Sequence, residues 1–300
     1  MDLAALAACI ANPGCVVTQA TSGFIVGMLL FLVAAGLTLI FGVLKVINFA
    51  HGAFYMLGAY FAFALYQSSG SFALALIGGA AGSGVAALAC ERLLISRVYG
   101  GSVLMQLLVC YALVLILDDV VRMVWGNDFL SMGMPAQFQV PPLFVAGGVV
   151  PPFYLFLIAV ALAIAVALGL ALARTRLGKV VRAAAHNPQM VSALGINTGL
   201  IYGLVFALGG ALAGMAGALA APVRSLTPGM GFSILIDSFI VTVIGGMGSV
   251  AGALVGALLI GFIRAFGSVG FPLFTDGIMY MVMVAVLVTR PTGLFGRNAG

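Results

Sequence analysis

Long uncharged apolar runs, separated by brief clusters of charged and turn-forming residues, set the pattern of this chain. A helix needs about 20 predominantly apolar residues to cross a bilayer. Runs of that kind cover Thr21 to Leu44, Phe49 to Tyr66, Phe72 to Cys90, Ser102 to Leu117, Phe153 to Ala173 and Gly199 to Val223. A longer stretch, Gly231 to Ile263, is apolar except for Asp237 and is interrupted by Gly245-Gly246-Met247-Gly248; Phe274 to Thr289 closes the series. The glycine break admits two readings, a pair of short spans or a hairpin that dips in and returns. Irregular backbone at membrane depth is tolerated only inside protein or beside a cavity. The pattern predicts an all-α, polytopic integral membrane protein with eight or nine membrane segments, one of them glycine-broken.

Composition agrees and adds orientation. Hydrophobic residues make up 64% of the chain and charged ones 6%, against about 25% charged in a soluble domain. The solvent for most of the surface is therefore lipid. The bases are scattered between apolar runs, which speaks against nucleic acid as a partner. Placing the Arg174 to Asn197 loop in the cytoplasm puts Lys45, Arg92, Arg97, Arg174, Arg176, Lys179, Arg182, Arg290 and Arg297 inside, and only Arg122, Arg224 and Arg264 outside. Five of the seven acids (Asp2, Asp118, Asp119, Asp128 and Asp276) fall outside. The excess of basic residues on cytoplasmic loops makes this the favoured orientation, with the N-terminus external and the C-terminus cytoplasmic. Residues 1–20 then form a short external tail, 21–290 the transmembrane domain and 291–300 a cytoplasmic tail. The first residues lack the basic n-region of a signal peptide. Cys9 and Cys15 share the oxidising side, where a disulfide between them is chemically permitted.

Three classes fit such a chain: a stand-alone carrier or channel, a membrane enzyme, or the membrane part of a larger machine. Ion-coupled carriers keep ionisable residues inside their spans, and here only Asp237 lies clearly within one. No cluster of acid, base, nucleophile or metal ligands appears in the sequence, so no catalytic residue, metal or cofactor is expected. No phosphate-binding loop of the GxxxxGK[ST] type occurs either, so ATP hydrolysis in that mode needs another chain.

The loop from Arg174 to Asn197 carries more order than a simple connection. It reads as a short helix, an Asn187-Pro188 turn, and a second short helix closed by Gly195. Val180, Val181 and Ala184 share one face at helical spacing, with Lys179 and Arg182 away from it. The plain alternative is a positive loop lying against lipid headgroups.

Ile47-Asn48-Phe49-Ala50-His51-Gly52, followed by Tyr55 to Tyr60, resembles the first-hairpin signature of bacterial branched-chain amino acid ABC-importer permeases. Arg182 to Pro188 with Ala193 to Asn197 resembles that family's cytoplasmic coupling loop, and Glu91-Arg92, Ile244 to Ser249 and Arg290 to Arg297 resemble further signatures. The likeness runs from about Gly23 to Arg297 and is nearest to the shorter of the family's two permease subunits. It implies the ABC-importer permease fold in a bacterial inner membrane. It also implies a second homologous permease subunit, two cytoplasmic ATPase subunits and a periplasmic substrate-binding protein as partners, in addition to the lipid bilayer. On this reading Arg174, Arg176, Lys179, Arg182, Ala184, His186, Asn187 and Gly195 belong to the loop that couples to an ATPase. Three positions depart from the family pattern: an acidic pair is His186 and Asn187 here, an acid after His-Gly is Ala53, and a lysine of the seventh segment is Asp237.

The translocation-pathway candidates are Asn48, His51, Asp237, Gly245, Gly246 and Gly248. Asn48 and His51 offer donors and acceptors to a zwitterion; their structural alternative is a helix start, with Asn48 as cap and His51 satisfied by backbone. Asp237 has three readings: it binds an ammonium, pairs with Arg224 or Arg264, or reaches water. Gly210, Gly214, Gly217, Gly252 and Gly256 read as helix-packing positions, because small residues let backbones approach closely. The reading that follows is an importer permease for branched-chain or other hydrophobic amino acids, with a stand-alone carrier or channel for small zwitterions or amides, including urea, as the rival.

Overall fold

The computed structural model of the protein describes residues 3–296; Asp2 and Arg297, counted above, lie outside them. A short α1 (Leu3–Ala11) turns at Asn12 into α2 (Pro13–Leu44). Asn12 Oδ1 accepts from the Gly14 amide at 2.9 Å, and Pro13 opens the helix, so α2 starts eight residues before the apolar run does. Such a cap satisfies amide donors that the first turn leaves free. A disulfide between Cys9 and Cys15 closes the elbow. Cys90 and Cys110 remain free thiols. Alkylation of the denatured protein is therefore expected to add two groups without reductant and four after it; four adducts without reductant would exclude the bridge.

The chain continues through α3 (His51–Ser69), α4 (Phe72–Leu93), α5 (Val103–Trp125), a two-stranded antiparallel hairpin of β1 (Leu143–Val145) and β2 (Gly148–Val150), and α6 (Pro152–Arg174). Two short helices follow, α7 (Arg176–His186) and α8 (Pro188–Ala193), then α9 (Thr198–Ala220), α10 (Met230–Gly245), α11 (Val250–Gly270) and α12 (Thr275–Thr289). Ser71, Ser102, Thr175, Asn187, Asn197 and Ser249 each cap the helix that follows through a side-chain oxygen. Six helices among the described residues are long and apolar enough to cross a membrane, and α10 and α12 are shorter apolar helices. The chain is thus an all-α polytopic membrane protein apart from the small hairpin. The Gly231 to Ile263 stretch resolves into two separate helices that pack together.

Helix α2 is the centre of the molecule. Its most apolar window is 83% buried, against 11% for α5, whose sides face outward as a lipid-facing helix should. A second nucleus forms where α3, α4 and α9 cross. Gly214 lies against Ser83, and a Cβ at Gly210 would press on Ala87 and the Ser83 carbonyl. The Ser83 hydroxyl has the Phe54 carbonyl at 2.7 Å and the Gly210 carbonyl at 3.0 Å as alternative acceptors, which ties the three helices at one point. On the other flank, Gly252 faces Gly245, and a Cβ at Gly256 would meet the Val241 carbonyl at 2.8 Å. Without an aqueous hydrophobic drive between helices, such close backbone packing is a principal source of association in lipid.

Candidate functional site

The second apolar run does not begin a helix at the end of α2. Lys45 ends α2 in the left-handed region, at φ 59°. The chain then runs back along α2 as non-helical backbone until His51, where α3 starts. The His51 Nε2–H donates to the Val33 carbonyl at 2.9 Å. That carbonyl lies about 18 Å back along α2 from Lys45, at about 1.5 Å per residue. Helix α3 therefore starts at half-depth. Helix α10 starts beside it: Gly52 and Gly231 lie backbone to backbone, and a Cβ on either would collide with the other's carbonyl.

Non-helical backbone at this level leaves polar groups open. Asn48 is fully buried; its Oδ1 accepts from the Ala50 amide at 3.1 Å, and its carbonyl accepts from the His51 amide. Its Nδ2 has no partner among the described residues, and neither has His51 Nδ1. The amides of Ile47 and Asn48 find no hydrogen-bond partner among the described residues, while the Phe49 amide is directed at the Cys110 sulfur. Beside this segment lies a cavity of about 200 Å³, whose walls include Leu37, Ile47, Phe49, Leu235, Phe239 and Met283, with Asn48 at its edge. Buried polar groups without partners cost about 1–3 kcal/mol each, so a cluster of them calls for an explanation.

Asp237 sits in α10, only 7% exposed, and is paired. Arg264 of α11 grips it with both terminal nitrogens, at 2.7 Å and 3.1 Å, and also reaches Asp276 of α12 at 3.3 Å. Of the three readings of this acid, the pairing with Arg264 is the one the structure contains.

The glycine break lies at the far end of α10, against the last turn of α2, where Gly248 touches Gly42. Its backbone is closed rather than open. The segment after α12 folds over it, and the Leu294 and Phe295 amides donate to the Ile244 and Gly245 carbonyls at 2.9 Å and 3.0 Å. Gly245, Gly246 and Gly248 are therefore not brought together with Asn48 and His51. At this same end α7 turns back against α6, with Gly178 pressed on the Ala171 and Leu172 carbonyls. Ala184 is buried, while Lys179, Arg182, Arg174, Arg176, His186 and Asn187 are exposed. Gly195, at φ 79°, ends α8: its amide donates to the Ser192 carbonyl, and the Ile196 amide to that of Val191. This bond pair is the glycine-terminated helix stop. Leu177, Met190 and Leu194 stand exposed on this loop at 63%, 60% and 73%. Near it, Glu91 is buried and accepts from the Tyr99 hydroxyl at 2.6 Å. Burial and the carboxylate beside it hold the Tyr99 phenol well above its usual range.

Sequence reasoning missed the half-depth start of α3 and the folding of Arg290 to Gly296 over the break. The first had one signal, a lysine and an asparagine flanking the start of an apolar run. No group of three or more His, Cys, Asp or Glu able to hold a metal occurs among the described residues.

A family model described as the branched-chain amino acid transport system permease component matches residues 19–287. The high-affinity branched-chain amino acid transport system permease protein BraD of Pseudomonas aeruginosa is 32% identical over 292 residues, covering 93% of this chain and 95% of the relative. The corresponding protein LivH of Escherichia coli is 29% identical over 296 residues, with the same coverage. A probable branched-chain amino acid transport permease protein of Methanocaldococcus jannaschii is 30% identical over 297 residues, covering 89% of each chain. No solved structure matches.

Proposed function

The chain belongs to the branched-chain amino acid transport system permease family, and from that premise we propose that its half-depth break forms part of the path for an apolar amino acid. It is a membrane-spanning, non-catalytic transport component. Family membership leaves the stand-alone carrier or channel without support. The assembly proposed is that of an ABC importer in a bacterial inner membrane: a second permease subunit, two ATPases that supply the energy, and a periplasmic binding protein that delivers the solute. The basic end of the molecule faces the cytoplasm, with the N-terminus outside and the C-terminus inside. The α7–α8 loop, with its exposed Leu177, Met190 and Leu194 among arginines, docks on an ATPase.

One observation carries the pathway reading: the Ile47 and Asn48 amides and the Asn48 Nδ2, without partners among the described residues, lie beside an apolar cavity at half-depth. An amino acid with an aliphatic side chain needs both, donors for its carboxylate and apolar walls for its side chain. Discontinuous helices serve that purpose in other transporters.

The test is Asn48→Asp in the assembled importer. It keeps the oxygen that accepts from Ala50, removes the free donor and places a carboxyl group where a carboxylate must pass. Leucine uptake into proteoliposomes is expected to fall about tenfold or more, the loss of a hydrogen bond to a charged group, while assembly is retained. Unchanged uptake sinks the pathway role of Asn48.

A further inference from the structure

Arg182, Ala185 and His186 share one flank of α7, as residues three and four apart on a helix do. They form one wall of a cleft of about 440 Å³. The other walls are Gly42 and Lys45 at the end of α2, Met247, Gly248 and Ser249 in the α10–α11 break, and Phe295. Two of these side chains, Lys45 and Arg182, are cations, His186 is an imidazole beside them, and none is acidic. No salt bridge engages Lys45, Arg182 or His186 among the described residues. Among the described residues the Lys45 ammonium has only the Phe41 ring, at 6.0 Å from its centre. Glu91, the one described acid near this end, is buried and held by Tyr99. The lining is also amphipathic: Met247 and Phe295 are about half exposed, at 48% and 50%.

We propose that this cleft binds the phosphodiester headgroup of an anionic membrane phospholipid. Three observations select that ligand. The cations are unneutralised, so the occupant is an anion. The cleft is as large as a typical small-molecule site, about 300–1,000 Å³, and so holds a headgroup. It opens where the ends of the spans meet a helix folded back on them, the level at which headgroups lie and basic pockets between helices take anionic lipid. The apolar rim of Met247 and Phe295 suits the start of acyl chains, for which inorganic phosphate or an acidic side chain of an ATPase has no use. A lipid held there bridges the α7 flank to the α10–α11 break. Its binding does not depend on which solute the importer carries.

The experiment uses the complete importer, delipidated in mild detergent and titrated with phosphatidylglycerol, phosphatidylcholine or inorganic phosphate, with bound species read by native mass spectrometry. Phosphatidylglycerol is expected to bind saturably and more tightly than the other two. Lys45→Gln, which lies outside the α7–α8 loop, is expected to weaken it about fivefold, and Lys45→Gln with Arg182→Gln about 25-fold. Intact mass of the complex checks that the variants assemble. Equal binding of phosphatidylcholine overturns the proposal, because charge then plays no part. Inorganic phosphate binding as tightly as the lipid overturns it in favour of a free-anion site. Variants that keep full lipid affinity but shed the ATPases overturn it in favour of an acidic partner residue.

Discussion

Gly217→Val is expected to leave no folded permease. At this position α9 crosses α3 so closely that a Cβ would collide with the Tyr55 carbonyl oxygen and lie 3.0 Å from the Ala59 amide. Both obstacles are backbone, which no rotamer change can move. The helices must part, and the Ser83 bonds to Phe54 and Gly210 stretch with them. Overpacking of a tight core costs about 1–3 kcal/mol, and a clash against backbone belongs above that range. The matched control is Gly169→Val in α6, where nothing lies within 4 Å of an added Cβ. Yield of monodisperse protein from membranes is the readout: near zero for the first, unchanged for the second. Equal yields for both would show that the α3–α9 crossing has slack that this packing lacks.

Arg264→Met is the second large expectation. Asp237 is left with a buried, uncompensated charge, and breaking such a pair costs about 3–5 kcal/mol; the lower end applies, because the Arg264 side chain is 27% exposed. The converse change, Asp237→Leu, is milder, since Arg264 keeps Asp276. Adding Asp237→Leu to Arg264→Met removes the second charge and is expected to recover most of the loss. Thermal unfolding of the detergent-solubilised complex measures this as a double-mutant cycle. Additive losses would mean that the two residues do not act as a pair.

Most of the helices were readable from the chain, and the reason is specific. Apolar runs bounded by strong caps, such as Phe72 after Ser71, carry their own start signals, so α4 begins where the pattern said. The two short helices between Arg174 and Asn197 were legible for the same reason: Asn187 and Gly195 punctuate them, and each does what its residue type favours. Depth was not legible. Hydropathy counts apolar residues but does not say where along the neighbouring helix they lie, so the run from Phe49 looked like an ordinary span when α3 in fact starts about 18 Å up α2. The partner of Asp237 was equally out of reach of pattern, since Arg224 is the nearer of the two flanking bases in sequence and only the packing of α10 on α11 selects Arg264. The Gly245 break misled in the opposite sense. Its glycines announced irregular backbone, but the donors that close it come from Leu294 and Phe295, some fifty residues on.

Helix α2 has 32 residues and is about 48 Å long at about 1.5 Å per residue, well beyond the hydrocarbon thickness of about 30 Å. It touches the β1–β2 hairpin through Thr18, whose hydroxyl accepts from the Val149 amide at 3.1 Å. It holds His51 near its middle, and its last turns meet Thr242 and Gly248. One stiff rod thus passes the hairpin, the half-depth break and the cleft at the α10–α11 break. Rocking it by about 5° about its midpoint would carry its two tips about 2 Å in opposite directions, so the hairpin end and the glycine-break end are mechanically joined through one helix.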